Sequence, residues 1–273
     1  MRWPNLLIIV LTQYLTAIFL IGDLHQWRYY LTDFKLLLLC ISTVLIAAAG
    51  YIINDYYDIK IDYINKPHKV VVGKIIKRRV AMFIHLTLSS LGLLIGIAIS
   101  LWVGAVNFFA IFLLWLYSNQ LKRLPFLGNF AVALLTAATV WIVAVRYQQF
   151  NDYVYMYALF AFAITLIREL IKDIEDLQGD SNFGCKTIPV IFGIRKSKQL
   201  LYLIVTIFII SIIYLINKLS IEHLYSYMAI FLLPMAYFVY RLVKADAKKN
   251  FSYLSNFCKL LMIFGILSMV FFK

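Results

Sequence analysis

The sequence is poor in acidic residues: it has 13 Asp and Glu against 26 Lys and Arg, and only 14% of its residues are charged. Hydrophobic residues make up 63% of the chain and the mean hydropathy is +0.86, well above the values of soluble domains. This composition excludes an ordinary soluble fold and predicts an integral membrane protein. The Lys and Arg residues that give the net charge of +13 are then expected to lie in loops at the membrane surface. A nucleic-acid partner is not expected.

Cysteine is also scarce. Its three copies, Cys40, Cys185 and Cys258, show no paired spacing, which excludes a disulfide framework and a zinc site. The four histidines show no ligand spacing either. The first apolar run is not closed by a small-residue cleavage site, so it is predicted to be an uncleaved first helix.

Apolar runs follow one another through the whole chain, separated mostly by short connections. A membrane-spanning helix needs about 20 apolar residues, and the sequence accommodates about nine such segments. The residues outside these segments are too few for a separate soluble domain. Residues 1–273 are therefore predicted to form one all-α membrane bundle. The predicted spans are 5–21, 36–53, 80–100, 103–117, 129–146, 153–171, 199–216, 224–243 and 254–272.

The basic residues are distributed unevenly over the two sides of this bundle. Of the 26 Lys and Arg, 20 lie at the N-terminus, in the connections after spans two, four, six and eight, or in the adjoining ends of spans six and eight (Arg168 and Arg241), and 5 lie on the opposite side. Because Lys and Arg retain loops in the cytoplasm, we expect these connections and the N-terminus to be cytoplasmic, in a bacterial or archaeal cell membrane. The long connections 54–79 and 172–198 are expected to carry function.

Eight of the 13 acidic residues occur in two short stretches, 54–62 and 168–180. Each stretch contains an Asp triplet with spacing three and then four, and the second triplet repeats the first 118 residues later. The triplets are Asp55, Asp58 and Asp62, and Asp173, Asp176 and Asp180.

On a helix, positions i, i+3 and i+7 fall within an arc of about 60°. Each triplet is therefore predicted to project its carboxylates in one direction from the cytoplasmic end of a helix. Like charges on one face repel each other, and carboxylate oxygens suit Mg²⁺. A single motif of this kind is typical of a solvated helix end. Two matched copies in an acid-poor chain instead predict Mg²⁺ ions bridged by a diphosphate.

The chain resembles the UbiA superfamily of intramembrane prenyltransferases at these residues. Residues 54–62 match the family motif N-D-x-x-D-x-x-x-D, and Asp176 with Asp180 match D-x-x-x-D. Residues 65–70 resemble N-[RK]-P-x-R-P, with Lys69 in place of the Arg and Val70 in place of the second Pro. Residues 117–123 match the family's Y-x-x-x-x-K element, which is followed by Gly128 and Asn129. The resemblance covers essentially the whole chain.

The resemblance implies that an allylic isoprenyl diphosphate binds with Mg²⁺ and transfers its prenyl group to a lipophilic acceptor. It implies catalytic roles for Asp58, Asp62, Asp176, Asp180, Lys122 and Tyr117. It implies metal ligation by Asn54, Asp55, Asp58, Asp62, Asp173, Asp176 and Asp180. Diphosphate binding is expected from Lys69, Arg123, Arg168, Lys172 and Lys186. Each of these five could equally anchor the inner leaflet.

The acceptor is open at this stage. The stretch 168–180 most resembles the branch that includes geranylgeranylglycerol-phosphate geranylgeranyltransferases, which predicts a geranylgeranyl donor and geranylgeranylglyceryl phosphate as the acceptor. Chlorophyll-synthase-like and aromatic prenyltransferases, with dihydroxynaphthoate or 4-hydroxybenzoate as acceptor, are the alternatives. A secondary transporter is the rival from another class, and it would place its carboxylates near the bilayer midplane on broken helices. Gly92, Gly96 and Pro234 are instead predicted to mark close helix packing and a kink.

Overall fold

A computed structural model describes residues 3–65, 70–218 and 224–272, and within these ranges the chain is helical, without a β-strand. The first helix, α1, continues as a π-helix over Thr16–Ile21. Short 3₁₀ turns occur at Leu24–Gln26, Leu121–Arg123 and Met269–Phe272. The α-helices are α1 (Trp3–Leu15), α2 (Trp27–Thr32), α3 (Phe34–Asn65), α4 (Arg78–Ile99), α5 (Leu101–Asn119), α6 (Leu127–Tyr147), α7 (Asp152–Glu175), α8 (Leu177–Asn182), α9 (Ile188–Lys218), α10 (Leu224–Val243) and α11 (Lys248–Ser268).

The membrane bundle predicted from hydropathy is confirmed. In the part of the chain that the structure describes, 8 helices are long and apolar enough to cross a membrane. The predicted eighth span coincides with α10, of which Leu232–Val243 is apolar but shorter. The total of nine spans therefore stays a prediction.

Helix α7 lies at the centre of the bundle. It packs against α6, α9 and α11, and 72% of its apolar 18-residue stretch is buried within the protein. Its apolar residues lie on all sides, as expected for a helix that is surrounded by other helices. Ile164, Ile167 and Ile171 are completely or almost completely buried along its length. Because its neighbours fix α7 from several directions, the polar residues at its end are held on a rigid element.

The long connections predicted at 54–79 and 172–198 are largely helical, which corrects the predicted boundaries. Helix α3 continues through the first motif to Asn65, since neither Gly nor Pro interrupts residues 51–65. Helix α9 begins at Ile188, eleven residues before the predicted span, and bends at Gly193. The φ of +77° at Gly193 lies in the left-handed region, which glycine adopts without steric cost.

A buried polar junction joins α3, α4 and α5 within the membrane. The Ser42 hydroxyl donates to the Gly92 carbonyl at 2.7 Å. The Asn107 amide donates to the Ser42 oxygen at 2.7 Å and to the Gly92 carbonyl at 3.3 Å. A Cβ at Gly96 would lie 2.2 Å from the Asn107 amide nitrogen. The two glycines thus let α3 and α5 approach α4 closely, as small residues do in membrane interfaces.

Replacing Gly92 with leucine is expected to destabilise the bundle, although leucine has the higher helix propensity. A Cβ at this position would lie 2.7 Å from Ile46 Cγ1 and 3.1 Å from the Ser42 carbonyl oxygen, so α3 and α4 would have to separate. Overpacking costs about 1–3 kcal/mol. We expect a lower unfolding midpoint for Gly92→Leu in detergent. Ala98→Leu on the exposed side of α4 should leave the midpoint unchanged, and equal midpoints for both variants would contradict this packing.

Candidate active site

The first acidic motif occupies the last three turns of α3. Asn54, Asp55, Asp58 and Asp62 all lie on this continuous helix and are half-buried. Their helical spacing therefore presents the three carboxylates on one side, as the sequence predicts. Asp58 on this stretch is bonded to Lys122, and α3 packs against α8, the helix that carries Asp180.

The second motif is not a single helical face, and the sequence-based prediction was wrong on this point. Asp173 lies in the last turn of α7, Asp176 follows the helix end, and Asp180 belongs to α8. Asp176 has φ −92° and ψ 6°, so the chain turns there and α8 leaves the direction of α7. Asp180 thus lies on α8, which packs against α3, and Asp180 and Asp58 both act electrostatically on Cys185.

Lys122 connects the α5–α6 segment to the first motif. Its Nζ donates to Asp58 Oδ1 at 2.5 Å and lies 5.7 Å from the centre of the Tyr57 ring. The Lys122 and Asp58 side chains are only 8% and 15% exposed. A pair this well shielded from water is strongly coupled, and removal of either partner would leave a costly charge.

The segment between α5 and α6 is held in position by close backbone contacts. A Cβ at Gly128 would lie 2.8 Å from the Lys122 Cα and 2.9 Å from the Leu121 carbonyl oxygen. Only glycine therefore lets α6 begin directly against the Lys122 turn. The Lys186 backbone N–H donates to the Arg123 carbonyl at 2.8 Å, which ties this turn to the loop after the second motif. The Arg123 and Lys186 side chains are exposed.

Cys185 lies among the charged groups of the site. Its backbone N–H donates to the Asp180 carbonyl at 3.0 Å. Burial raises the pKa of the Cys185 thiol above its ordinary value, and the carboxylates of Asp180 and Asp58 raise it further. Arg123 and Lys122 lower the same pKa. One sulfur atom is thus within electrostatic reach of both acidic motifs and of both cations of the α5–α6 segment.

Asn129 is a site residue to which the sequence analysis gave no role. Its side-chain amide donates to Asp173 Oδ2 at 2.8 Å, and only 6% of the residue is exposed. It stands in the first turn of α6 and faces α7 because those two helices pack together. The sequence shows Gly128 and Asn129 as part of the family element, but only the fold shows that Asn129 binds Asp173.

Arg168 and Lys172 form a separate cluster farther along α7, and both contact Glu169. The Arg168 guanidinium forms an ion pair with Glu169 Oε1, and Lys172 Nζ lies 3.3 Å from Glu169 Oε2. Glu169 is buried, whereas the Arg168 and Lys172 side chains remain 17% and 32% exposed. Arg168 and Lys172 are predicted from the sequence to bind the diphosphate, and that role stays a prediction.

The two remaining predicted site residues are Lys69 and Tyr117. Lys69 lies outside the described residues, so its predicted role in diphosphate binding stays a prediction. Tyr117 is half-buried in the last turn of α5. Near the first motif, the Tyr56 ring lies under the Arg78 guanidinium at 4.6 Å, and the Tyr51 hydroxyl accepts from Asn5 at 3.2 Å.

The donor chemistry of the two motifs fits Mg²⁺, because they offer only oxygen atoms. Within the described residues, no three or more His, Cys, Asp or Glu side chains are grouped closely enough to hold a metal ion. Mg²⁺ rarely needs such a cage: one or two carboxylates, water and substrate phosphates commonly hold it. The arrangement therefore fits an ion shared with a bound diphosphate better than a preformed protein site.

Comparison with known proteins agrees with this geometry. The model of the UbiA prenyltransferase family matches residues 8–263. Digeranylgeranylglyceryl phosphate synthase of Methanosphaera stadtmanae is 30% identical over 238 residues, which cover 86% of this chain and 87% of that protein. The same-named enzyme of Methanosarcina mazei is 31% identical over 230 residues, covering 83% of this chain and 78% of that protein.

Solved structures lead to the same family. A structure of digeranylgeranylglyceryl phosphate synthase has a TM-score of 0.70 at 25% identity, and the match covers 97% of this chain and 92% of that one. A UbiA homologue from Archaeoglobus fulgidus, solved with GPP and Mg²⁺ bound, has a TM-score of 0.67 at 16% identity, covering 98% and 97%. Since the family model matches nearly the whole chain and the fold is that of solved UbiA homologues, this protein belongs to the UbiA prenyltransferase family.

Proposed function

We propose that this prenyltransferase moves a geranylgeranyl group from geranylgeranyl diphosphate to the free hydroxyl of geranylgeranylglyceryl phosphate. The bond between C1 of the prenyl chain and the diphosphate oxygen breaks. The glycerol oxygen forms an ether bond to C1, and its proton leaves together with inorganic diphosphate. The proposal is supported by relatives of at least 30% identity that are named digeranylgeranylglyceryl phosphate synthase.

The observation that carries the proposal is the meeting of the two acidic motifs beside basic residues. Helix α3 packs against α8, and Lys122 bonds to Asp58 on the first motif. Carboxylates and ammonium groups placed side by side suit a ligand that arrives with metal ions and carries phosphate. A transporter has no need of this combination, and the family match makes that alternative unnecessary.

Mg²⁺ would be held by the two motifs and would stabilise negative charge on the diphosphate as it leaves. The proposed ligands are Asn54, Asp55, Asp58, Asp62, Asp173, Asp176 and Asp180. Lys122 is placed to donate to a phosphate oxygen from its position beside Asp58 and Tyr57. The exposed Arg123 and Lys186 are proposed to bind the outer phosphate together with Lys69, and Tyr117 is proposed as a catalytic residue.

The motif side of the bundle is proposed to face the cytoplasm of a bacterial or archaeal cell. The 20-to-5 distribution of Lys and Arg supports this orientation. The donor diphosphate and Mg²⁺ would then reach the site from the cytoplasm, while both prenyl chains remain in the bilayer.

A transfer assay on detergent-purified protein tests the proposed reaction. Labelled geranylgeranyl diphosphate and Mg²⁺ would be offered with geranylgeranylglyceryl phosphate, dihydroxynaphthoate or 4-hydroxybenzoate, each separately. We expect labelled ether product with the first acceptor and none without Mg²⁺. Product with an aromatic acceptor alone would identify the protein as an aromatic prenyltransferase and overturn the proposed acceptor.

Asp58→Asn and Asp176→Asn are each expected to lower turnover by more than about 100-fold. Residues that only support metal ligands typically cost up to about 100-fold when they are changed, and a ligand itself should cost more. Either change removes a carboxylate from the proposed metal site. Turnover at saturating Mg²⁺ should be measured together with the unfolding midpoint, since Asp58→Asn also leaves Lys122 without its counter-ion. Asp246→Asn, at a carboxylate that is 90% exposed, is the matched control. Normal turnover in either motif variant would remove the metal assignment.

Asn129→Leu is expected to raise the Mg²⁺ concentration for half-maximal activity and to lower kcat by roughly 10- to 100-fold. Asn129 acts here as a positioning residue, because its amide holds the Asp173 carboxylate. Asn129→Gln retains the donor and should recover part of the Mg²⁺ response. If Asn129→Leu changes stability but leaves the Mg²⁺ titration unmoved, Asn129 has only a structural role.

A further inference from the structure

We infer that Arg168 and Lys172 bind the phosphate of the acceptor, at a site distinct from that of the donor diphosphate. This inference rests on the proposed function, since it concerns an acceptor that carries its own phosphate. It changes the role that the sequence analysis gave to these two residues, from binding the donor to selecting the acceptor.

The two cations form a basic stripe along α7 beside an acidic one. At about 100° per residue, Arg168 and Lys172 lie about 40° apart around the helix. Glu169 and Asp173 form the neighbouring stripe at the same spacing of four residues. Lys172 precedes Asp176 by one turn, about 6 Å along the axis. The basic stripe therefore begins next to the proposed metal site and continues away from it along α7.

The hydrogen-bond donors of this cluster are not all used within the described residues. Arg168 and Lys172 both contact Glu169, with Arg168 on one carboxylate oxygen and Lys172 on the other. Within the described residues, the Arg168 Nε is buried and has no hydrogen-bond acceptor. A purely structural ion pair would use its donors more completely.

Both cations can still be reached by a ligand. The Arg168 and Lys172 side chains are 17% and 32% exposed, whereas Glu169 between them is buried. Glu169 thus holds the two cationic groups near each other and leaves their outer sides available. A phosphate dianion placed between them would receive charge-assisted hydrogen bonds from both, which are the strongest kind available to side chains.

The chemistry of the acceptor requires a site in this region. The attacking hydroxyl and the phosphate ester are at most two carbons apart on one glycerol, so the acceptor phosphate must bind close to C1 of the donor. It must also lie apart from the donor diphosphate, because two phosphate groups repel each other. Lys122 already faces Asp58 of the donor site. Arg168 and Lys172 supply the separate cations that such an acceptor needs.

The test compares geranylgeranylglyceryl phosphate with geranylgeranylglycerol, which lacks the phosphate, as acceptors for the purified enzyme. We expect the unmodified enzyme to prefer the phosphorylated acceptor. Arg168→Gln and Lys172→Gln should lower kcat/KM for that acceptor by roughly 10- to 100-fold, the loss of one charged hydrogen bond. The value for geranylgeranylglycerol and the KM for the donor should change little. Lys172→Arg keeps the charge and should retain the preference.

Arg195→Gln, at an exposed arginine of α9, is the matched control and should leave both acceptors unaffected. An equal loss with both acceptors, or a raised KM for the donor, would overturn the inference and leave the proposed function standing. Equal use of both acceptors by the unmodified enzyme would overturn it as well. If the unmodified enzyme forms no ether from geranylgeranylglyceryl phosphate, the proposed function itself fails, and the inference fails with it.

Discussion

Charged side chains on membrane helices are costly unless another group compensates them, and the ion pair between Lys122 and Asp58 meets this requirement at the centre of the site. It fixes the turn before α6 against the end of α3. Through the Lys186–Arg123 backbone bond the same turn holds the loop after the second motif. Three distant segments of the chain are therefore joined where the acidic motifs meet.

Helix α7 gives this site its rigidity and its division into two regions. Its apolar length is buried among α6, α9 and α11, so its last turns cannot shift without disturbing the core. Asp173, a proposed metal ligand in the last turn of α7, accepts a hydrogen bond from Asn129. Arg168 and Lys172 flank Glu169 nearer the bundle interior. In the proposed mechanism, this one helix supplies carboxylates to the metal–diphosphate group and cations to the phosphate of the acceptor.

The two Asp triplets show what the spacing of residues in the sequence can and cannot predict about their conformation. The first was predicted correctly as a helical face, because α3 continues without Gly or Pro through residues 51–65. The second was not, because the chain turns at Asp176 although its sequence spacing is the same. The length of the helices within residues 54–79 and 172–198 was underestimated, since both stretches were predicted as long connections. Charge made these stretches look like loops, but helices can carry charge where they extend beyond the hydrocarbon.

The sequence by itself determined the membrane environment, the all-α architecture, the family and the two acidic motifs. These properties follow from hydropathy and from residues close together in the chain, which a linear pattern records. Only the tertiary structure decided that Lys122 pairs with Asp58, that Asn129 holds Asp173, and that Glu169 gathers two cations. Contacts between helices depend on how those helices pack and turn, and no spacing within one segment specifies that.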